Sequence, residues 1–202
     1  MLLNTPVCDF GWQAPNFTLP DTNNRLHGLD SLIGANGLLI AFICNHCPYV
    51  KAIIDRLVSD AIALQQRGIN TVAIMPNDYH NYPEDSPENM VAFINRHHIP
   101  FPYLIDETQQ VAKAYAAVCT PDFFGLNAEG KLHYRGRLDD VQNGNRRQSS
   151  ARTSRSDDKS GRIRTGARTP NSINGMFDKM EMSVLSIHIR LKKCYEYVET
   201  AT

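Results

Sequence analysis

Cys44-Asn45-His46-Cys47-Pro48 stands where one pattern of residues gives way to another. Before it runs Gly37-Leu38-Leu39-Ile40-Ala41-Phe42-Ile43, a continuous apolar segment of strand length. A run of this kind marks a strand buried on both faces. After it, Val50, Ile53, Ile54, Leu57, Ala61 and Leu64 recur at helical spacing until Gly68 stops the pattern. Two thiols at the junction of a buried strand and a long helix constrain both the architecture and the chemistry.

The rest of the N-terminal two thirds continues the alternation. Gly11 to Asp21 is short and turn-rich, as for a strand feeding a hairpin. Asn70–Met75 reads as a second buried strand. Ser86-Pro87-Glu88-Asn89 opens a helix reaching His97, with Ser86 as N-cap and Pro87 as its first residue. A strand near Phe101–Ile105, a helix from Thr108 to Ala117, and strands near Phe123–Leu126 and Leu132–Arg137 follow. The last two are joined by the turn Asn127-Ala128-Glu129-Gly130. The order β-α-β-α-β-α-β-β argues for an α/β sandwich around a mixed sheet. No internal repeat is visible.

No basic stretch followed by a long apolar run opens the chain, and no segment reaches about 18 uninterrupted apolar residues. A cytoplasmic, reducing location is therefore expected, without membrane attachment. Five cysteines occur, at positions 8, 44, 47, 119 and 194. In a reducing compartment a close pair is redox-active or metal-binding rather than a structural disulfide. The N-terminus of the following helix stabilises a thiolate through its unpaired N–H groups and its dipole. A cationic His46 between the thiols would lower a thiol pKa further. The alternatives are a zinc half-site and inert buried thiols. Zinc normally takes four ligands, and His97-His98 falls on a different element, so neither a metal nor a cofactor is expected. Cys8 and Cys194 are read as incidental.

The stretch from Gly11 to Asp140 resembles the AhpC/TSA (redoxin) family of thioredoxin-like proteins, in its peroxiredoxin-like branch with a C-x-x-C-P-Y motif. The resemblance rests on Ala14-Pro15-Asn16-Phe17-Thr18-Leu19-Pro20-Asp21, Phe42-Ile43-Cys44-Asn45-His46-Cys47-Pro48-Tyr49-Val50, Cys119-Thr120-Pro121-Asp122 and Tyr134-Arg135-Gly136-Arg137-Leu138-Asp139-Asp140. It implies a thioredoxin-like sandwich with an N-terminal β-hairpin, and thiol-based redox chemistry. It also implies that Thr120-Pro121 is the cis-proline loop packed against the cysteine pair.

Two chemistries follow. In thiol–disulfide exchange, Cys44 attacks a substrate disulfide and Cys47 resolves the mixed disulfide, with His46 tuning the potential and Thr120-Pro121 holding the substrate backbone. In a peroxidase, one thiolate attacks a peroxide and becomes a sulfenic acid before a partner thiol condenses with it. Pro48 suits the first helical position, which makes Cys47 the N-cap and favours it as that thiolate. Peroxiredoxins resembling this chain carry P-x-x-x-T-x-x-C, whereas Ile40 and Cys44 stand where the Pro and Thr would fall. Disulfide exchange is the preferred reading, and which cysteine attacks stays open. The catalytic candidates are Cys44 and Cys47, supported by Asn45, His46, Pro48, Thr120, Pro121 and Cys119. The expected partners are a disulfide-containing protein or a peroxide, and an external thiol reductant.

Residues 1–140 and 141–202 differ in kind. The chain has no net charge, with 21 Lys+Arg against 21 Asp+Glu, but the first part holds 9 against 15 and the second 12 against 6. The balance excludes a strongly basic nucleic-acid binder as a whole. The second part is rich in Arg, Ser, Asn and Gly without apolar periodicity, which predicts a disordered, out-of-family tail. An Arg-rich arm for RNA is the alternative, and its lack of interleaved aromatic residues across Arg146–Arg168 speaks against nucleic acid as a partner.

A change of reading frame after Asp140 accounts for the difference. The resembled family ends in a helix and a segment like I-P-S-x-G-C-x-I-K-W. Asn171-Ser172-Ile173-Asn174-Gly175-Met176-Phe177-Asp178-Lys179-Met180-Glu181 can be encoded so that reading one nucleotide later gives I-P-S-M-G-C-S-I-K-W. Met followed by Phe forces TGT, hence Cys, and Met followed by Glu forces TGG, hence Trp, whatever the other codons. On this reading an apolar face loses its last helix, so reduced stability and aggregation are expected. Resequencing the gene tests it, and a single undisturbed frame encoding the same tail defeats it.

Overall fold

In the computed structural model, which describes residues 9–136 and 138, a five-stranded mixed sheet with the order β5-β4-β3-β6-β7 forms the centre. Its strands are β3 (Gly37–Phe42), β4 (Ile69–Met75), β5 (Tyr103–Ile105), β6 (Asp122–Leu126) and β7 (Leu132–Gly136). Strand β3 pairs parallel with β4 and antiparallel with β6. Every residue of β3 is buried, as its uninterrupted apolar run predicts. The expected N-terminal hairpin is β1 (Thr18–Pro20) paired antiparallel with β2 (Leu26–Gly28). With helices above and below the sheet, the architecture is the expected thioredoxin-like sandwich.

The pleat of β3 divides the core into two layers, because successive side chains point to opposite faces. Leu39 and Ala41 join Val50, Ile54, Leu57, Ala61 and Leu64 of helix α2 (Pro48–Gln66), with Met90 and Phe93 of helix α3 (Pro87–His97). Each fully buried Leu, Ile or Val there contributes about 1.5–3 kcal/mol. Leu38, Ile40 and Phe42 point the other way. They meet Phe17, Leu29 and Leu32 of helix α1 (Leu29–Leu32), Tyr115 and Phe124. The Ser86 hydroxyl caps α3 by accepting from the Asn89 N–H at 3.4 Å.

Helix α4 is shorter than the periodicity predicts. The expected span Thr108–Ala117 narrows to Gln110–Ala114, because Gln109 and Ala116 both adopt left-handed backbone (φ 60 and 50) and bracket a single turn. β5 begins at Tyr103 rather than Phe101. Pro102 has no N–H to donate, although its carbonyl accepts from the Ala73 N–H. The short α1 and a 3-10 turn at Pro83–Asp85 carry no strong periodic signal and went unread. The expectations for Cys8, the segment after Asp140, its change of frame and the domain boundary there lie outside the described residues.

Gly37 opens β3 at φ +143, and a Cβ on it would lie 2.2 Å from the Leu126 carbonyl oxygen. Both the conformation and the contact exclude a side chain. Gly37→Ala is expected to cost about 3 kcal/mol, read as a lower guanidinium midpoint, because β3 and β6 must move apart.

Candidate active site

The end of β3 and the start of α2 carry the two thiols to one place. The ladder continues one residue past β3, where the Ile43 N–H donates to the Ile74 carbonyl. Cys44 follows, 1% exposed, in the core layer shared with α2 and α3. Cys47 is half-buried and caps α2 with extended backbone, as Pro48 in the first helical position predicts. The loop before β6 closes on both sulfurs. Thr120 Oγ1 lies 3.1 Å from Cys44 Sγ, and the Thr120 carbonyl lies 3.3 Å from Cys47 Sγ. The Thr120-Pro121 peptide is cis, in line with the family resemblance.

These surroundings separate the two thiols electronically. The Cys44 S–H donates to the Cys47 sulfur, and this is the largest influence holding the Cys47 pKa at about 5, with N–H groups of Val50 and Tyr49 assisting against partial burial. The same hydrogen bond pushes Cys44 far above the ordinary thiol range, and burial and the charge of Asp85 add to it. Above pH 5 the pair therefore holds one proton, on Cys44. Protonated Cys47 donates to the Thr120 carbonyl; ionised, it loses that bond and accepts the Cys44 S–H. The sign follows: alkylation of Cys47 by iodoacetamide should rise through about pH 5 and level off by neutrality. An unperturbed thiol would rise through about 8.5. A midpoint there would show that the helix end and Cys44 do not act on Cys47.

Asp85 is the residue that sequence reasoning missed. It is fully buried at the end of the 3-10 turn. Its Oδ1 accepts from the Asn45 N–H at 2.7 Å and the His46 N–H at 3.3 Å. Its Oδ2 lies 2.7 Å from His46 Nδ1 and accepts from Asn77 Nδ2 at 2.7 Å. The carboxylate thus ties down the Cys-Asn-His-Cys loop by backbone and side chain together. Asn45 also donates to the Glu84 carbonyl and accepts from the buried Tyr103 hydroxyl at 3.2 Å. Burial, with the charge of Asp85, pushes the Tyr103 pKa well up, so its hydroxyl stays a donor. The His46 ring stacks on Tyr82, with centroids 5.6 Å apart and planes 12° from parallel.

One donor atom each from Cys44, His46 and Asp85 lie within 4.8 Å of one another, a set of types that binds zinc elsewhere. Both carboxylate oxygens are already occupied, by two backbone N–H groups, an amide and the imidazole. A metal would have to displace His46 and Asn77 from Oδ2, so the cluster reads as a hydrogen-bonded network around a thiol. His97 stands apart from it, paired with Asp55 of α2 at 2.9 Å.

Of the sequence candidates, Cys44, Asn45, His46, Cys47, Pro48, Thr120 and Pro121 meet at this site. Cys119 lies beside them in sequence and is exposed, rather than the buried small residue a lone thiol usually is. Tyr49 is also exposed next to Cys47. The sequence signal for Asp85 is weak. An acid in Pro83-Glu84-Asp85-Ser86-Pro87 looks like an ordinary turn residue until its burial is known.

The chain is similar to several known proteins. Over 125 residues the chain is 28% identical to the thiol-disulfide oxidoreductase ResA of Bacillus subtilis (strain 168), a stretch that is 60% of this chain and spans only 64% of that relative. A crystal structure of an uncharacterized conserved protein from Geobacillus kaustophilus superposes with a TM-score of 0.67 at 44% identity, covering 71% of this chain and 79% of the other. A hypothetical protein from Sinorhizobium meliloti 1021 gives a TM-score of 0.66 at 40% identity, covering 70% and 76%. Residues 10–135 match the AhpC/TSA family from before the first hairpin to the last strand, with the cysteine pair, its helix and the Thr-Pro loop inside the match. The chain belongs to the AhpC/TSA family.

Proposed function

We propose that the protein is a thiol–disulfide oxidoreductase whose Cys44–Cys47 pair cycles between dithiol and disulfide. The observation that carries this reading is a pair of cysteines at the N-terminus of α2, one buried and one half-buried, with both sulfurs in contact with Thr120 of the cis-proline loop. Such a pair reduces a substrate disulfide by forming its own, giving up two electrons and releasing two substrate thiols. An external thiol then returns the pair to the dithiol state. The name of the Bacillus subtilis relative supports the same class of reaction. The demand for an external reductant fits a reducing compartment, and a cytoplasmic location belongs to the proposal. Among the described residues no helix is long and apolar enough to cross a membrane.

One observation favours a peroxidase as the second reading. The ionised cysteine is the one directly before Pro48, and its neighbour's S–H occupies the place where the resembled peroxiredoxins carry a hydroxyl. Cys47 would then attack a hydroperoxide, become a sulfenic acid and release an alcohol or water. Condensation with Cys44 would expel water and form the disulfide. Two assays with the same thiol reductant separate the readings. Disulfide exchange predicts accelerated insulin reduction, with hydroperoxide consumed no faster than by a variant lacking both cysteines. The opposite pattern selects the peroxidase.

A further inference from the structure

We propose that the pair works with its order inverted: Cys47 attacks the substrate disulfide and Cys44 resolves the mixed disulfide. The inference rests on the disulfide-exchange reading and assigns the roles within it. At the sequence level the first cysteine was the attacking one in that reading. Three features of the site reverse this.

Access comes first. Thiol–disulfide exchange requires the attacking sulfur to approach a substrate sulfur along its S–S axis, which a sulfur in a 1% exposed residue cannot do. Cys47 is half-buried at the mouth of the site, beside the exposed Tyr49. The second feature is position on the helix. Cys47 is the N-cap residue of α2, where N–H groups of Tyr49 and Val50 face its sulfur, while Cys44 lies three residues before the helix. The third is the company each sulfur keeps. Cys44 is surrounded by Cys47, the Thr120 hydroxyl, a His46 ring nitrogen, the Asp85 carboxylate and Tyr103, a set that opposes a second negative charge.

The cycle then balances. The Cys47 thiolate attacks one sulfur of R–S–S–R′, the Cys47–S–R bond forms, and R′S⁻ leaves to be protonated by solvent. Once Cys47 is in the mixed disulfide its sulfur no longer accepts the Cys44 hydrogen bond. Cys44 gives up its proton as it attacks, and that proton ends on the departing RS⁻ as RSH. The Cys44 thiolate attacks Cys47 Sγ, the Cys44–Cys47 disulfide forms and RS⁻ leaves. The substrate disulfide has gained two electrons and the pair has lost them.

The test is the reaction of the reduced full-length protein with dithiobis(nitrobenzoate) at pH 6, followed by release of thionitrobenzoate. The wild type should release one equivalent rapidly from attack and a second from resolution. Cys44→Ser loses the thiol that most favours ionised Cys47, so its first release should slow yet stay at least about ten-fold faster than that of Cys47→Ser, with no second release after it. Cys47→Ser should slow the first by about 100-fold or more, because the remaining thiol is almost entirely protonated at that pH. A fast first release that survives in Cys47→Ser and disappears in Cys44→Ser overturns the inference. Acid quenching of the wild type during the first release, with fragmentation mass spectrometry, gives the same answer without a variant: the adduct should sit on Cys47, and an adduct on Cys44 overturns the assignment. Insulin reduction by the wild type reports separately on the exchange reading. Its absence with the ordered two-step release intact sinks that reading and leaves the order of attack standing.

Discussion

Replacing Asp85 by alanine is expected to lower the stability of the protein by about 3–5 kcal/mol, the cost of removing one partner from a buried, charge-assisted network. The carboxylate is wholly buried and receives the N–H groups of Asn45 and His46, the Asn77 amide and the His46 ring. Alanine leaves these groups without an acceptor, and the Asn45 amide is itself in a buried residue. Asp85→Asn should cost less. Its carbonyl still serves the two backbone N–H groups, while its NH₂ faces the Asn77 amide and must turn that side chain. Guanidinium melts with an unchanged slope report the difference directly. The loop that separates the thiols would also relax, so Cys47 alkylation at pH 6 should slow in Asp85→Ala. An alanine variant with the wild-type midpoint would mean that the carboxylate does not hold the loop.

Phe42→Ala is the second large effect, at about 3–5 kcal/mol. Phe42 is the last residue of β3, fully buried, and its ring lies 5.7 Å from Tyr115 and 5.6 Å from Phe124. Tyr115 in turn meets Trp12 and Phe17 edge-on at 5.6 and 6.2 Å. Aromatic pairs in these tilted and edge-on arrangements contribute about 0.5–1.5 kcal/mol beyond the area they bury. Alanine removes two such pairs and opens a void that a strand hydrogen-bonded on both sides cannot collapse to fill. Phe42→Leu should recover more than half of the loss, since it restores most of the volume. Equal midpoints for Ala and Leu would show that packing around the ring is not what holds this layer. Phe42 is also two residues before Cys44, so the alanine variant should show faster Cys44 modification by a small thiol reagent.

Much of this protein is legible along the chain because the determinants are local. The β3 run, the helical spacing from Val50 to Leu64, the Ser86 cap and the Asn127–Gly130 turn each act within a few residues, and each element lies where the pattern puts it. Cys47 as helix cap is readable for the same reason, since Pro48 fixes the first helical residue. The helix that differs from expectation lacks such a local signal. The helix expected over Thr108–Ala117 had acceptable residues throughout, but tertiary contacts set Gln109 and Ala116 in left-handed backbone. Nothing in the residue types at those positions announces it.

The sequence by itself determined the redox pair, the strand and helix that carry it, the Thr120-Pro121 loop that faces it, and the α/β layering. The pair, its strand and helix and the layering follow from hydrophobic period, caps and spacing, and the Thr-Pro loop follows from the family resemblance. The tertiary structure alone decided the roles of the two cysteines. It buries one and leaves the other at the helix mouth, and it brings Asn77, Tyr82 and Asp85 to them from the connection between β4 and α3 and Tyr103 from β5. The physical reason is range. A helix cap acts over one turn, whereas burial and the field around a thiol depend on groups that only the folded sheet brings within a few ångströms.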